Sequence, residues 1–161
     1  MTIAAILLAT ESAGPSGGAA ALAPSDDGET LVEWQIMQLL EAGVDVVEVV
    51  LGCDAERIIP LVAGDNVEPI VHSGWERDHA GGVRIGATAV PRDTSTAIIV
   101  DIARPASAGT CSALLEAHAA SGASVTRAAS PVVPGVPVVV DTGVLAELRN
   151  ATDERGGLEG V

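Results

Sequence analysis

The stretch Ile3-Ala4-Ala5-Ile6-Leu7-Leu8-Ala9, running into Thr10-Glu11-Ser12-Ala13-Gly14-Pro15-Ser16-Gly17-Gly18-Ala19-Ala20-Ala21, decides how the rest of the chain is read. An apolar run of strand length that empties into a long loop of small residues is the opening of an α/β unit. In such folds the loop leaving the carboxyl end of the first strand faces the ligand crevice, where backbone N–H groups can cradle phosphate. The placement is that of a phosphate loop, but its charges are missing. No charged side chain lies between Glu11 and Asp26, and the chain contains no lysine.

Outward from that loop, helix and strand signals alternate. Asp26-Asp27-Gly28 reads as a turn, and Thr30 with Glu33 has the spacing of a capping box. Val32, Ile36, Leu39 and Leu40 share one helical face, and Gly43 closes the helix. Val44 to Leu51 is rich in β-branched residues and reads as a strand buried on both faces. Asp54 is placed to cap a short helix that Pro60 limits or kinks. Val67 to Val71 is a third strand, and a helix from about Ala80 to Val90 follows a polar connection. Gly81, Gly82 and Gly86 weaken that helix by propensity and mark close approach to a neighbouring element or a ligand. Thr96 to Asp101 is a strand that delivers Asp101 to the edge where the opening loop lies. Ser107 or Thr110 begins a helix carrying Leu114, Leu115 and His118 on one side and ending at Ser121-Gly122. Ser124 to Ala128 and Pro137 to Val140 are further strands, and Thr142 opens a last helix. The pattern predicts one three-layer αβα domain over residues 1–161, with a mostly parallel, Rossmann-like sheet.

Composition narrows the partners. The 22 acidic residues outweigh 8 arginines for a formal net charge of −14, a field that repels nucleic acid and leaves an isolated nucleotide in need of a divalent cation. No apolar run reaches the ~18 residues of a membrane span. The amino terminus lacks a basic signal region, so the expected compartment is the cytoplasm. With no Phe or Tyr and only Trp34 and Trp75, the core must be aliphatic. Cys53 and Cys111 have no metal-ligand spacing and read as reduced thiols. His72, His79 and His118 lie in contexts too different for a ligand cluster, with His118 read as a partly buried helix-face residue. Ser12 and Ser16 belong to no recognisable nucleophile motif, and Trp34 reads as packing.

Together, Gly28-Glu29-Thr30-Leu31-Val32-Glu33-Trp34-Gln35-Ile36, Glu41-Ala42-Gly43-Val44-Asp45, Val49-Val50-Leu51-Gly52, Trp75-Glu76-Arg77, Val100-Asp101 with Arg104-Pro105, and Asp153 with Gly156-Gly157-Leu158 resemble the MobA-like NTP transferases of molybdenum cofactor maturation. The resemblance is strongest to their cytidylyl-transferring branch and covers essentially the whole chain. It implies a sheet of the nucleotide-diphospho-sugar transferase type and a crevice for CTP or GTP lined by Ala9, Thr10, Gly17, Gly18 and Ala80. It also implies Mg²⁺ held by Asp101 and Asp153, and molybdopterin as acceptor.

The family's opening motif, L-A-A-G-x-x-x-R-M-G-x-x-K, lies beside this sequence without a gap from Leu8. Glu11 then stands at the turn glycine, Pro15 at the arginine, Ser16 at the methionine and Ala20 at the lysine. The two lost cations are those that hold the triphosphate, and phosphoryl-type transfer depends on such electrostatic positioning. Asp78-His79-Ala80-Gly81-Gly82 has glycine at the serine of the family's G-M-A-x-S pattern. Gly135-Val136-Pro137 lacks the histidine of its G-H-P, and Glu159 stands at a closing arginine. The chain also ends short of the family's final helix. The resulting expectation is a catalytically impaired nucleotidyltransferase that binds a nucleotide, a cofactor precursor or a protein partner in molybdoenzyme maturation. The alternatives are an active Mg²⁺-dependent transferase and a structural subunit that forms a homodimer through a bare aliphatic face.

Overall fold

A computed structural model describes residues 1–13, 17–127 and 137–150. Its elements run in the order β1 (Thr2–Ala9), α1 (Leu31–Glu41), β2 (Val46–Leu51), α2 (Ala55–Val62), β3 (Val67–Val71), α3 (His79–Ala89), β4 (Thr94–Asp101), α4 (Ala108–Ser121), β5 (Val125–Arg127), β6 (Val138–Asp141) and α5 (Thr142–Arg149). A short 3-10 turn, Ala20–Leu22, follows the opening loop. No helix among the described residues is long and apolar enough to cross a membrane.

The strands form one six-stranded sheet in the order β3-β2-β1-β4-β6-β5. β1 pairs in parallel with β2 and β4, and β2 with β3. β6 enters antiparallel between β4 and β5. The sheet is therefore mostly parallel, as expected, and the strand order reverses beside β1. The chain goes from β1 outward to β2 and β3, then returns to β4 on the other side, so a crevice opens at the carboxyl ends of β1 and β4.

The period of two along each strand divides the core between two faces. Ala5, Leu7 and Ala9 of β1 join Val49, Leu51, Ile98 and Val100 under α1, α2 and α4, through Val32, Ile36, Leu39, Ile58, Cys111 and Leu114. Ala4 and Ile6 join Val50, Ala97, Ile99, Val138 and Val140 under α3 and α5, through Val83, Ala87, Val144, Leu145 and Leu148. The core is aliphatic, as the composition requires.

Several local expectations are met and others corrected. Thr30 caps α1: its hydroxyl accepts from Glu33 N–H at 3.4 Å and donates to Glu33 Oε1 at 2.7 Å. The buried face of α1 is Val32, Gln35, Ile36 and Leu39, whereas Leu40 is 36% exposed. α2 passes through Pro60 and ends two residues later. α3 forms despite its glycines because Gly86 sits against Ile6 of β1, where a Cβ would collide, so the glycine brings helix and strand together. Ser107 rather than Thr110 caps α4, and Gly122 closes it with φ +66°. Thr142 opens α5 as expected, and Asp141 caps it, accepting from Val144 N–H at 3.0 Å.

Candidate crevice at the carboxyl edge of the sheet

At the end of β1, Ala9 is fully buried, and the Thr10 carbonyl accepts from Cys53 N–H at 2.9 Å, which ties the opening loop to the β2–α2 turn. The loop then folds back on itself. Ala13 N–H donates to Gly18 O at 2.8 Å and Ala20 N–H to Glu11 O at 3.0 Å. Gly17 and Gly18 are exposed at its return.

The loop is also held from outside. Asp54 Oδ2 accepts from Ala19 N–H at 2.8 Å, across 35 residues of sequence. Asp54 occupies the N-cap position of α2, but with a left-handed backbone (φ 55°), and its side chain makes no capping hydrogen bond to the helix backbone. The expected cap is thus corrected: the carboxylate turns away from the helix to the loop. A Cβ on Gly18 would lie 2.8 Å from Asp54 Oδ2 and 3.8 Å from Arg57 Nη1, so a side chain at this position would displace the carboxylate. Arg57 Nη1 lies 3.7 Å from the same Asp54 oxygen, with the arginine side chain 66% exposed.

β4 brings Asp101 beside Leu8 in register, and the Leu8 carbonyl accepts from Ile102 N–H at 2.9 Å. Asp101 Oδ1 accepts from Ala103 N–H and the Asp101 carbonyl from Arg104 N–H, each at 2.9 Å. This aspartate builds the strand-end turn and keeps Oδ2 outside that bond. Two glutamines of α1 fix the connection that follows. Gln35 donates to Ala106 O at 2.9 Å and accepts from Ala106 N–H at 2.8 Å, and Gln38 accepts from Ala108 N–H at 2.8 Å.

The third wall is the β3–α3 connection. His72 is buried; its backbone N–H donates to Leu51 O at 2.8 Å and its Nε2–H to Asp78 O at 2.7 Å. Asp78 caps α3 by accepting from Gly81 N–H at 2.9 Å and pairs with Arg84 at 3.0 Å. Ala80 is half-buried in the first turn of α3. Trp75 packs against Gly52, where a Cβ would overlap the indole.

Carboxylates set the electrostatics of this edge. Burial, and then the fields of Asp54, Glu76, Glu11 and Glu56, raise the pKa of the Cys53 thiol. Cys111, on the buried face of α4, is pushed up to about 11 by burial alone. Among the described residues, no three His, Cys, Asp or Glu side chains converge as a metal-binding group. Asp153, proposed from the sequence as the second Mg²⁺ ligand, lies outside the described residues, as do Pro15, Ser16, Gly135, Val136 and Gly156 to Glu159. Ala9, Thr10, Gly17, Gly18, Ala80 and Asp101 are all at or near the carboxyl edge. Asp54, Arg57, Gln35 and Gln38 went unassigned as site-building residues in the sequence. Two glutamines three apart on a helix whose charged residues are Glu33 and Glu41 were the available signal for the last two.

Residues 5–160 match the MobA-like NTP transferase domain. No curated protein matches significantly. Among solved structures, the chain superposes on Rv0371c of Mycobacterium tuberculosis with a TM-score of 0.74 and 18% identity, over 96% of this chain and 79% of that one. Rv0371c has also been solved in complex with manganese. A nucleotidyl transferase from Methanothermobacter gives a TM-score of 0.78 at 20% identity, covering 98% and 79%. The 4-diphosphocytidyl-2C-methyl-D-erythritol synthase of Anaerococcus prevotii gives 0.68 at 15%, covering 96% and 80%.

Proposed function

The chain belongs to the MobA-like NTP transferase family, and from that membership we propose that it is a catalytically impaired nucleotidyltransferase that binds CTP or GTP with a divalent ion, as a binding factor in molybdoenzyme maturation. The observation that carries this reading is the loop after β1, which folds back at the carboxyl edge through Ala13 N–H to Gly18 O and Ala20 N–H to Glu11 O, beside the carboxylates of Glu11 and Asp54 and with no cationic side chain between Glu11 and Asp26. A triphosphate entering that field meets repulsion, and Ala20 and Pro15 supply no charge against it. A divalent ion, when bound, would supply positive charge against that field.

Asp101, by its family position, would offer one carboxylate oxygen to Mg²⁺, with nucleotide phosphates and water completing the shell. Asp153 is proposed as the second protein ligand. When bound, the ion would neutralise phosphate charge. The manganese complex of Rv0371c supports a divalent ion in a relative of this fold.

Calorimetric titration with CTP and with GTP, with and without Mg²⁺, tests the proposal. Mg²⁺-dependent binding without pyrophosphate release in the presence of molybdopterin is expected. Sustained pyrophosphate release that is lost in Asp101→Ala would replace this reading with that of an active transferase. Absence of binding under every condition would refute it.

A further inference from the structure

We propose that Arg57 is the anion-binding cation of the opening loop, parked on Asp54 until a ligand phosphate displaces the carboxylate. The proposal rests on the nucleotide-binding reading above and assigns to that site a residue outside the family motif.

Three observations converge. First, the fold brings this guanidinium to the loop: Arg57 Nη1 lies 3.8 Å from where a Gly18 Cβ would be. Second, its ion pair is loose. The 3.7 Å separation is long for a charge-assisted hydrogen bond, and the Asp54 oxygen involved is already accepting from Ala19 N–H at 2.8 Å. One carboxylate oxygen serves two donors, while the planar guanidinium carries five N–H groups suited to two phosphate oxygens at once. Third, the arginine side chain is 66% exposed whereas Asp54 is 25% exposed, so the anion partner is fixed and the cation is free to turn outward.

Two other described arginines are differently placed. Arg84 pairs with Asp78 at 3.0 Å, and Arg149 donates to Ala87 O at 2.8 Å on the α3–α5 side. Arg57 brings to the loop, from the first turn of α2, a charge that the loop's own sequence lacks. The arrangement also accounts for glycine at position 18, since a larger residue would push the carboxylate off Ala19 and move the arginine with it.

The test uses the full chain and two probes, inorganic pyrophosphate with Mg²⁺ and CTP with Mg²⁺, followed by calorimetry. Arg57→Ala should weaken both by about tenfold, the worth of one charge-assisted contact. Arg57→Lys should restore part of the loss, and Arg92→Ala, before β4, should leave binding unchanged. Asp54→Asn keeps an oxygen for Ala19 N–H and removes the competing charge, so it should tighten both probes and reduce the salt dependence of binding. The melting temperature of Arg57→Ala should match that of the parent, which separates lost binding from lost folding. If the parent binds both probes and Arg57→Ala binds them equally well, this inference is overturned while the nucleotide-binding reading stands. If the parent binds neither probe, both fail.

Discussion

The Gln35 side chain of α1 both donates to and accepts from the backbone of Ala106, 71 residues away, at 2.9 and 2.8 Å, and it is fully buried. The primary amide here substitutes for a strand partner, satisfying a main-chain N–H that would otherwise be orphaned and a C=O whose other donor is the Cys111 thiol at 3.9 Å. Gln35→Leu preserves volume, leaves Ala106 N–H unpaired and leaves Ala106 O with only the weak S–H contact of Cys111 at 3.9 Å. We expect a loss of about 1–3 kcal/mol in urea unfolding, the cost of a buried unsatisfied main-chain N–H. Gln35→Glu should also destabilise, because it removes the donor to Ala106 O and buries a charge. Equal stability of Gln35→Leu and the parent would mean that the connection finds other partners.

A second prediction concerns pH. Glu48 of β2 stands opposite Glu68 of β3 in parallel register, is 1% exposed, and has one buried carboxyl oxygen, Oε2, without a hydrogen-bond partner. Burial first, then the charge of Glu68 and the hydrogen bond between the two carboxyl groups, push its pKa from 4.5 up to about 7. The folded protein therefore holds a proton that the unfolded chain releases. Its stabilising contribution is full below pH 4.5 and is lost as pH rises to about 7. The loss is bounded at about 3 kcal/mol by the usual 1.36 kcal/mol per unit. Glu48→Gln should therefore be more stable than the parent at pH 8, with the gap closing toward pH 4.5. A gap that does not change with pH would contradict the shared-proton pair.

Much of this architecture was legible because period and punctuation agreed. The apolar runs of β1, β2 and β4, the Thr30–Glu33 cap and the closing glycines at 43 and 122 each specify a local structure whose physics is short-range. The direction of β6 was not legible: Val138, Val139 and Val140 form a run buried on both faces, and such a run carries no sign of parallel or antiparallel pairing. The placement of the candidate residues was half legible. The positions of Thr10, Gly18 and Asp101 at the carboxyl edge follow from their places after strands, as the edge rule for α/β sheets predicts, whereas Ala80 was named through the family pattern. Asp54 was misassigned because N-cap preference is a local rule, and a hydrogen bond to Ala19 from another segment overrode it. Gln35 was missed for the same reason, since its partner is distant in sequence.

Glycines of the helices give a paired prediction with opposite signs. Gly86 is buried in α3 against Ile6 and Val50, so Gly86→Ala must force the helix from the sheet or rotate Ile6. Such overpacking costs about 1–3 kcal/mol. Gly109 lies in the first turn of α4, exposed, with only Ser107 Oγ at 3.9 Å from a new Cβ. Gly109→Ala should stabilise by about 0.5–1 kcal/mol through reduced backbone freedom of the unfolded chain. Thermal melts of the two variants should move in opposite directions. Destabilisation by Gly109→Ala would indicate that the helix start needs the glycine.

The two thiols should differ in kind. Cys111 is fully buried and pushed up to about 11, so it should react with a disulfide reagent only on unfolding. Cys53 is partly accessible, and its thiolate is disfavoured first by burial and then by Asp54, Glu76, Glu11 and Glu56. In the folded protein at pH 8 it should therefore react more slowly than a free model thiol. Raising salt should recover the Coulombic part of that retardation and leave the part due to burial. Glu76→Gln should accelerate the reaction at low salt, and the acceleration should shrink at 1 M salt, where the screening length is ~3 Å. The same carboxylate field that is proposed to repel a bare triphosphate is thus measurable without any ligand. A Cys53 rate that ignores both salt and Glu76→Gln would remove the electrostatic basis of the proposed function.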